Sequence, residues 1–527
     1  MGHSYLKNAA LLTGSDVVLR LAGLGLRIWL ANQLGGEGMG LYQLVLAVYS
    51  LFITLATAGI SVAATRLMAE ELSASASAGR ARGMLRCLLT AALLLGVLAA
   101  ALQLTTAGPA ARWWLGDVRA AGALRASALG LPWMAVAAVL RGFFLARRRV
   151  VPNVVSQLTE QAVRIALSVL ALTRTAGLDA GVRCMLVLGA TAASETVSAL
   201  CMLGFYRRDA ARTFGPQRPV RPADPVRRLW EILWPVEGGR VLSSALHTAE
   251  NMLVPACLAA ALAGAGGRSA ALEQYGVLKG MALPLIQFPF GLLGSLAVLL
   301  MPEITEAHIL GQTARLDGLL DRMLRLTGCF AALAGVLFWV WGRPLAQLLY
   351  HSREAGFYLE TLAPVLPLMY LESMVDGAMK GIGEQKAAFR YSVWDSILRI
   401  LGVLVLLPRF GMPGFLAVIL LSNLFTCAAN TGRLLYSSGA KHAFRRWLGG
   451  PLAASMLASG AGVVLRDVLS TALRAEFPQQ LAALTVGGCA TAAVFLMTAW
   501  PLGLRQELSG QLASCRKKHN GPPHAKS

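Results

Sequence analysis

Charged residues lie inside apolar stretches of this chain, where each needs a partner or a water-filled surrounding. The first stretch contains Asp16, Arg20 and Arg27. The two arginines are seven residues apart and therefore share one face of a helix. A guanidinium keeps its charge when desolvated, so this face predicts a cationic surface that lines a central cavity. The alternative is that Asp16 neutralises Arg20 while Arg27 extends towards the membrane surface.

Two later stretches add cations and one candidate proton carrier. Arg240 and Lys279 lie on the first two predicted helices of the second half, and we expect them to complete the cationic surface. His247 and Glu250 are one helical turn apart. That spacing allows either a proton relay or a pair whose members satisfy each other.

Two pairs of opposite charge recur at a spacing of four residues. Glu160 precedes Arg164, and Asp395 precedes Arg399, so each pair faces one side of a helix. They either couple transport to an ion or form structural pairs, and Asp16 falls into the same class. Glu195, Glu237, Glu372 and Asp376 are further charges inside predicted spans.

Motifs of enzymes and of metal or cofactor sites are missing from the sequence. It contains no P-loop, no G-x-S-x-G, no H-E-x-x-H and no C-x-x-C, and its eight cysteines never approach metal-ligand spacing. The glycine-rich segment 35–40 follows no predicted strand and is expected to be a turn. We therefore predict no catalytic residue, no metal, no cofactor and no enzymatic activity.

The composition indicates a membrane protein. Of 527 residues 56% are hydrophobic and 14% are charged, whereas a soluble chain is about 25% charged. The formal charge of +21 is explained by basic loops beside an anionic membrane leaflet, so we expect membrane lipid and no nucleic acid as a partner.

A membrane-spanning helix needs about 20 mostly apolar residues, and fourteen runs meet this requirement. The seventh run contains Pro235 and Pro255 and is predicted to be bent or interrupted. The predicted fold class is thus an all-α integral membrane protein. The runs are 8–34, 41–67, 83–106, 120–146, 152–173, 182–206, 229–263, 275–301, 323–350, 358–382, 386–408, 412–437, 447–470 and 480–504.

The distribution of basic residues predicts the orientation. With the N-terminus in the cytoplasm, the cytoplasmic segments hold about 30 Lys and Arg residues and the outer loops about 11. We therefore expect a multi-pass protein of the bacterial cytoplasmic membrane with both termini cytoplasmic.

The sequence predicts two related lobes. At a shift of 235 residues Glu160 falls on Asp395 and Arg164 on Arg399, which indicates a parallel repeat. A basic, proline-rich stretch separates the halves. The predicted divisions are a six-helix lobe 1–206, a cytoplasmic linker 207–228, a second six-helix lobe 229–437, two additional helices in 438–504 and a disordered cytoplasmic tail 505–527.

Several segments resemble the stage V sporulation protein B group, in the oligosaccharide-flippase branch of the multidrug/oligosaccharidyl-lipid/polysaccharide exporter superfamily. They are 34–43, 55–63, 280–285 and 302–304. The resemblance implies two six-helix lobes around a central cavity, plus two extra helices. It also implies a cargo of polyprenyl-pyrophosphate-linked saccharide. The lipid II flippases are similar and carry paired arginines on helix one, where Arg20 and Arg27 stand in this chain.

The resulting hypothesis is a flippase that moves an undecaprenyl-pyrophosphate-linked saccharide, a precursor of peptidoglycan or another envelope polysaccharide, by alternating access. A role in spore cortex or cell-wall synthesis follows from the resemblance, with cell-wall synthases as expected partners. One alternative is a cation-coupled multidrug exporter, for which a net acidic cavity is expected. Another is a non-transporting scaffold for envelope synthesis, for which charges inside the spans serve no purpose.

Overall fold

The computed structural model describes most of the chain, and every regular element among the described residues is a helix. The predicted tail 505–527 lies outside these residues, and the linker 207–228 is described only in part. The described residues are 2–57, 59–73, 78–175, 177–214, 219–220, 224–262, 267–439, 445–471, 473 and 477–499.

The described residues form seventeen α-helices, numbered here in chain order. Short π-helical turns occupy Ala110–Trp114, Val277–Ala282 and Arg445–Gly449, and a 3-10 turn occupies Ala363–Val365. The α-helices are α1 Gly2–Thr57, α2 Ile60–Ser73, α3 Ala78–Pro109, α4 Ala120–Ala128, α5 Leu131–Ala146, α6 Val151–Thr173, α7 Ala180–Phe214, α8 Pro225–Ala261, α9 Gly267–Gly276, α10 Leu283–Ile309, α11 Thr313–Tyr350, α12 Arg353–Leu362, α13 Leu366–Gly381, α14 Gln385–Phe410, α15 Met412–Ser438, α16 Gly450–Val468 and α17 Phe477–Ala499.

The helices follow the predicted apolar runs, with breaks where the local chemistry demands them. The first two runs lie mainly in α1, which kinks at Gly35, where φ is 71° and a side chain would be strained. The run 120–146 is divided into α4 and α5 just before Pro132. The seventh run is not interrupted, because the backbone of α8 is helical throughout Pro225–Ala261, and the alternative of a bend stays a prediction.

Eight helical segments in the described part of the chain are long and apolar enough to cross a membrane. The protein is thus an all-α, multi-pass membrane protein, and the total of fourteen spans stays a prediction. Helices α8 and α14 match predicted spans but are not among the eight segments.

The chain divides into two compact units. The first comprises Met1–Met281 and Ser396–Val418, and the second comprises Ala282–Asp395 and Ile419–Ser527. The predicted division into lobes 1–206 and 229–437 stays a prediction.

Each unit has its own apolar core. In the first, α2, α3 and α5 pack through fully buried residues such as Leu67, Leu85 and Phe143. In the second, α11 packs against α16 and α17, and the indole Nε1 of Trp341 donates a hydrogen bond of 3.1 Å to Thr491 Oγ1. These cores fix the helices that carry the charged residues.

Candidate functional site

The predicted cationic residues of the first helix are accessible in the structure. Asp16 and Arg20 are exposed and Arg27 is half-buried, all on α1. Among the described residues, none of the three forms an ion pair. The pairing of Asp16 with Arg20 is therefore not observed, and both guanidiniums keep their capacity to bind an anion.

The arginine-bearing face of α1 is turned towards α6. Gly23 lies on this face between Arg20 and Arg27, and the position of a Cβ atom at Gly23 is 4.0 Å from the amide nitrogen Nε2 of Gln161 on α6. Arg27 and Arg164 both lie within electrostatic reach of Tyr42. The face of α1 that carries Arg27 thus lies against the helix that carries a charged group.

That group is centred on Glu160. Its carboxylate accepts a hydrogen bond of 2.6 Å from Arg164 Nη2 and one of 3.2 Å from Arg141 Nη2. The structure therefore contains the predicted ion pair Glu160–Arg164, and it adds Arg141 as a second cation. Sequence reasoning missed Arg141, although an arginine within the apolar run 120–146 was a visible signal.

Glu195 balances the formal charge of this group. Its side chain is 7% exposed, and its Oε1 lies 3.4 Å from Arg164 Nη2. Two guanidiniums and two carboxylates thus meet among α5, α6 and α7, and Arg141 also donates to Ser198 at 3.5 Å. Since buried charges of opposite sign satisfy one another, this arrangement holds three helices together and leaves no surplus charge for a cargo.

A second buried carboxylate, Glu250 on α8, has two partners. Its Oε1 accepts a hydrogen bond of 2.5 Å from Arg399 Nη2 on α14, and its Oε2 lies 3.4 Å from Nδ1 of His247. His247 is 61% exposed while Glu250 is 2% exposed. The predicted neighbours His247 and Glu250 are therefore in contact, and the histidine is the exposed member of the pair.

Asp395 and Arg399, predicted to pair with each other, have separate partners. Arg399 binds Glu250, and Asp395 Oδ1 accepts a hydrogen bond of 2.6 Å from the hydroxyl of Ser422. The pair of Arg399 with the buried Glu250 is screened only weakly by water. It is therefore stronger than a pair with Asp395 on the surface of the same helix. Local spacing alone could not reveal this partner.

The two remaining predicted cations lie in different surroundings. Lys279 is half-buried in the π-helical turn Val277–Ala282, and its Nζ lies 5.8 Å from the ring centre of Phe415, a distance that allows a cation–π interaction. Glu250 and Arg399 both act on it electrostatically. Arg240 is exposed on α8. Lys279 is therefore brought to the Glu250 group, which the sequence did not predict.

The glycine-rich segment forms a tight contact with α9. A Cβ atom at Gly40 would lie 2.0 Å from the carbonyl oxygen of Leu272, and one at Gly276 would lie 2.1 Å from that of Gly36. Only glycine permits such backbone contact between helices. The segment is therefore a helix-packing surface beyond the kink at Gly35. The predicted turn over 35–40 is wrong, because only Gly35 departs from helical geometry and 36–40 continue α1.

An ion-pair network lies near this contact, in the loop between α3 and α4. Arg119 Nη2 is 2.8 Å from Asp117 Oδ2 and 2.7 Å from Glu37 Oε1. Burial would raise the pKa of Asp117, but hydrogen bonds from the side chain and backbone of Arg119 outweigh burial and hold that pKa below its usual range. The network ties the start of α4 to the kinked part of α1.

Several charged residues thus lie in the middle of apolar helices. The described residues form helices only, and the chain divides into two compact units. The sequence model of the family described as "Polysaccharide biosynthesis protein" matches residues 5–290, more than half of the chain. The chain belongs to this family. The membership confirms the predicted family resemblance.

Curated relatives and solved structures agree with this assignment. The chain is 27% identical to stage V sporulation protein B of Bacillus subtilis (strain 168) over 419 residues, which cover 78% of this chain and 80% of the relative. Among solved structures it resembles the lipid II flippase MurJ in an inward closed conformation. The TM-score is 0.67 and the identity 11%, covering 92% of this chain and 99% of that one.

A multidrug resistance transporter of the MATE family, in its inward-facing conformation, shares the fold with a TM-score of 0.64 and 15% identity, covering 81% of this chain and all of that one. At these identities the likeness concerns the fold alone. The fold is thus common to proteins with different cargoes, and the cargo of this chain must be argued from its own residues.

Proposed function

We propose that the protein is a flippase for an undecaprenyl-pyrophosphate-linked saccharide, a precursor of peptidoglycan or another envelope polysaccharide. It moves this lipid across the bacterial cytoplasmic membrane by alternating access, with both termini in the cytoplasm. The observation that carries the proposal is the accessible pair Arg20 and Arg27. Neither forms an ion pair in the described part of the chain, although each lies within an apolar helix.

The charge of α1 supports an anionic cargo over a cationic one. A charge at the centre of a membrane-spanning helix costs about 2.5–3.5 kcal/mol to insert, so two arginines without a carboxylate partner need another source of stabilisation. A pyrophosphate supplies it, because its oxygens accept two hydrogen bonds from each planar guanidinium. An exporter of cations would place acidic residues at these positions.

Other charged residues take different roles in this proposal. Lys279 and Arg240 extend the cargo-binding set, and the π-helical turn at Lys279 is a feature that often marks functional sites in helices. The groups around Glu160 and Glu250 hold helices together, because each carboxylate already has two partners. Glu160 binds two arginines, and Glu250 binds one arginine and one histidine. The similarity to a sporulation protein supports a cargo used in the spore envelope.

Transport in proteoliposomes tests the proposal. The purified protein is reconstituted with a fluorescent polyprenyl-pyrophosphate saccharide, and an impermeant quencher reports the fraction in the outer leaflet over time. We expect protein-dependent movement of this lipid and no uptake of a cationic dye into matched vesicles. Dye uptake with an unmoved lipid would show the drug-exporter alternative, and movement of neither would show the scaffold alternative.

A further inference from the structure

A cavity of about 640 Å³ opens where α5 ends, α6 begins and α7 ends. Four arginines line it, Arg148 and Arg149 in the α5–α6 loop and Arg208 and Arg212 on α7. We refer to this cavity as the arginine pocket. It lies on different helices from Arg20 and Arg27, so the proposed cargo-binding residues are not part of it.

The arginine pocket carries a surplus of positive charge. Asp209, the one acidic lining residue in the described structure, is buried and bonded to both Arg147 and Arg149. Four guanidiniums against one carboxylate leave a formal charge of +3 on the lining. Arg208 and Arg212 are exposed, and neither forms an ion pair with a described residue. The pocket is therefore suited to an anion.

The backbone at Arg148 gives a second, independent indication. Its φ is 56°, in the left-handed region, and the N–H of Arg149 donates to the carbonyl of Phe144 at 2.9 Å, which closes the end of α5. Glycine is the residue that this type of helix end favours. An arginine here strains the backbone and places a guanidinium at the pocket, so the side chain serves a purpose that the turn does not require.

The remaining lining is apolar and lies where two apolar helical segments end. Val151, which is 52% exposed, and the half-buried Phe205 contribute hydrocarbon surface. The apolar segments Ala120–Ala146 and Ala180–Ala210 end beside the arginines. A ligand in this pocket thus meets guanidiniums on one side and hydrocarbon on the other, which is the chemistry of a phospholipid at its headgroup.

We propose that the arginine pocket binds the phosphate headgroup of an anionic membrane phospholipid, with the start of its acyl chains against the apolar lining. Guanidiniums at a membrane surface attract anionic lipids with about 1 kcal/mol each, which corresponds to about a fivefold change in affinity. Losing two arginines that bind the same headgroup therefore weakens binding about 25-fold.

The test uses the purified full-length protein in zwitterionic micelles, titrated with fluorescent phosphatidylglycerol or phosphatidylcholine. The variant is Arg208→Gln with Arg212→Gln, and the matched control is Arg66→Gln with Arg227→Gln, which removes the same charge from exposed arginines outside the pocket. We expect tighter binding of phosphatidylglycerol than of phosphatidylcholine, a loss of about 25-fold in the pocket variant and an unchanged affinity in the control.

A third variant separates binding from folding. Arg148→Gly relieves the left-handed strain, so we expect an unchanged or higher melting temperature together with about fivefold weaker binding of phosphatidylglycerol. Equal losses in the pocket and control variants would overturn the proposal. So would full displacement of phosphatidylglycerol by inorganic phosphate, which would identify a site for free anions rather than for a lipid.

Discussion

The ion pair between Glu250 and Arg399 allows a quantitative prediction. Glu250 is 2% exposed and Arg399 is 18% exposed, so water screens their interaction weakly. Replacing Arg399 with glutamine leaves a buried carboxylate whose closest other partner is His247, at 3.4 Å. The substitution therefore leaves a buried carboxylate without its hydrogen-bonded guanidinium, with His247 and the more distant electrostatic effect of Lys279 as the remaining compensation.

The expected cost follows from this burial. Removing one member of a buried ion pair destabilises a protein by about 3–5 kcal/mol, because the other member stays desolvated. Replacing both members with glutamine removes both charges and permits an amide hydrogen bond, so the double variant should lose less than Arg399→Gln alone. A double-mutant cycle compares the two single variants with the double variant. In such a cycle, residues in direct contact typically show coupling energies of about 0.5–3 kcal/mol.

Thermal unfolding of the purified protein in detergent, followed by circular dichroism, measures this cycle. Arg399→Gln should melt well below the parent, and Glu250→Gln with Arg399→Gln should recover part of the loss. The control is Arg227→Gln, whose pair with Glu231 is exposed and should contribute less than about 1 kcal/mol. Additive losses, or a loss at Arg399 no larger than at Arg227, would refute the view that this pair is buried and structural.

Three further predictions concern packing, pH and membrane potential. Gly40→Ala should lower the melting temperature and transport, at a cost of about 1–3 kcal/mol, because the new methyl group meets the backbone of α9; Gly280→Ala should be milder, because it meets the flexible end of Met39. Hydrogen bonds from Arg433 hold the pKa of Glu384 below its ordinary value of 4.5 in the folded protein. As the pH falls, Glu384 is therefore protonated in the unfolded chain before it is protonated in the folded one. Stability should therefore fall as the pH drops below about 4.5, less so in Glu384→Gln, in calorimetric scans at several pH values. Because a cargo with two negative charges gains about 2.3 kcal/mol per charge per 100 mV, collapsing the membrane potential at a constant pH gradient should slow flipping; an unchanged rate would exclude this driving force.

Helix positions could be predicted because they depend on local properties of the chain. Apolar length alone gave runs that the helices follow, and glycines 35–40 marked the kink of α1. The pair Glu160–Arg164 was equally predictable, since its members lie one turn apart on α6. Such features need no knowledge of which helices are neighbours.

Partners on different helices could not be predicted in this way. Arg399 binds a carboxylate 149 positions away, and Arg141 binds Glu160 across α5 and α6. The choice of partner depends on which helix faces are buried together, and spacing along the chain carries little of that information. Asp16 and Arg20 are one turn apart but exposed, where an ion pair gains little, and they do not pair in the structure.

The most direct test of the proposed function is the transport rate of variants at Arg27. Losing a charge-assisted contact to a pyrophosphate costs about 1.5–3 kcal/mol, so Arg27→Ala should slow flipping of the fluorescent lipid-linked saccharide about 10- to 150-fold. Arg27→Lys should retain part of the rate, because its charge remains while the bidentate geometry is lost. Arg174→Ala, at an exposed arginine beyond the end of α6, is the control and should match the parent. If Arg27→Ala protein is equally abundant in the vesicles and moves the lipid at the parental rate, the cationic face of α1 does not bind the cargo.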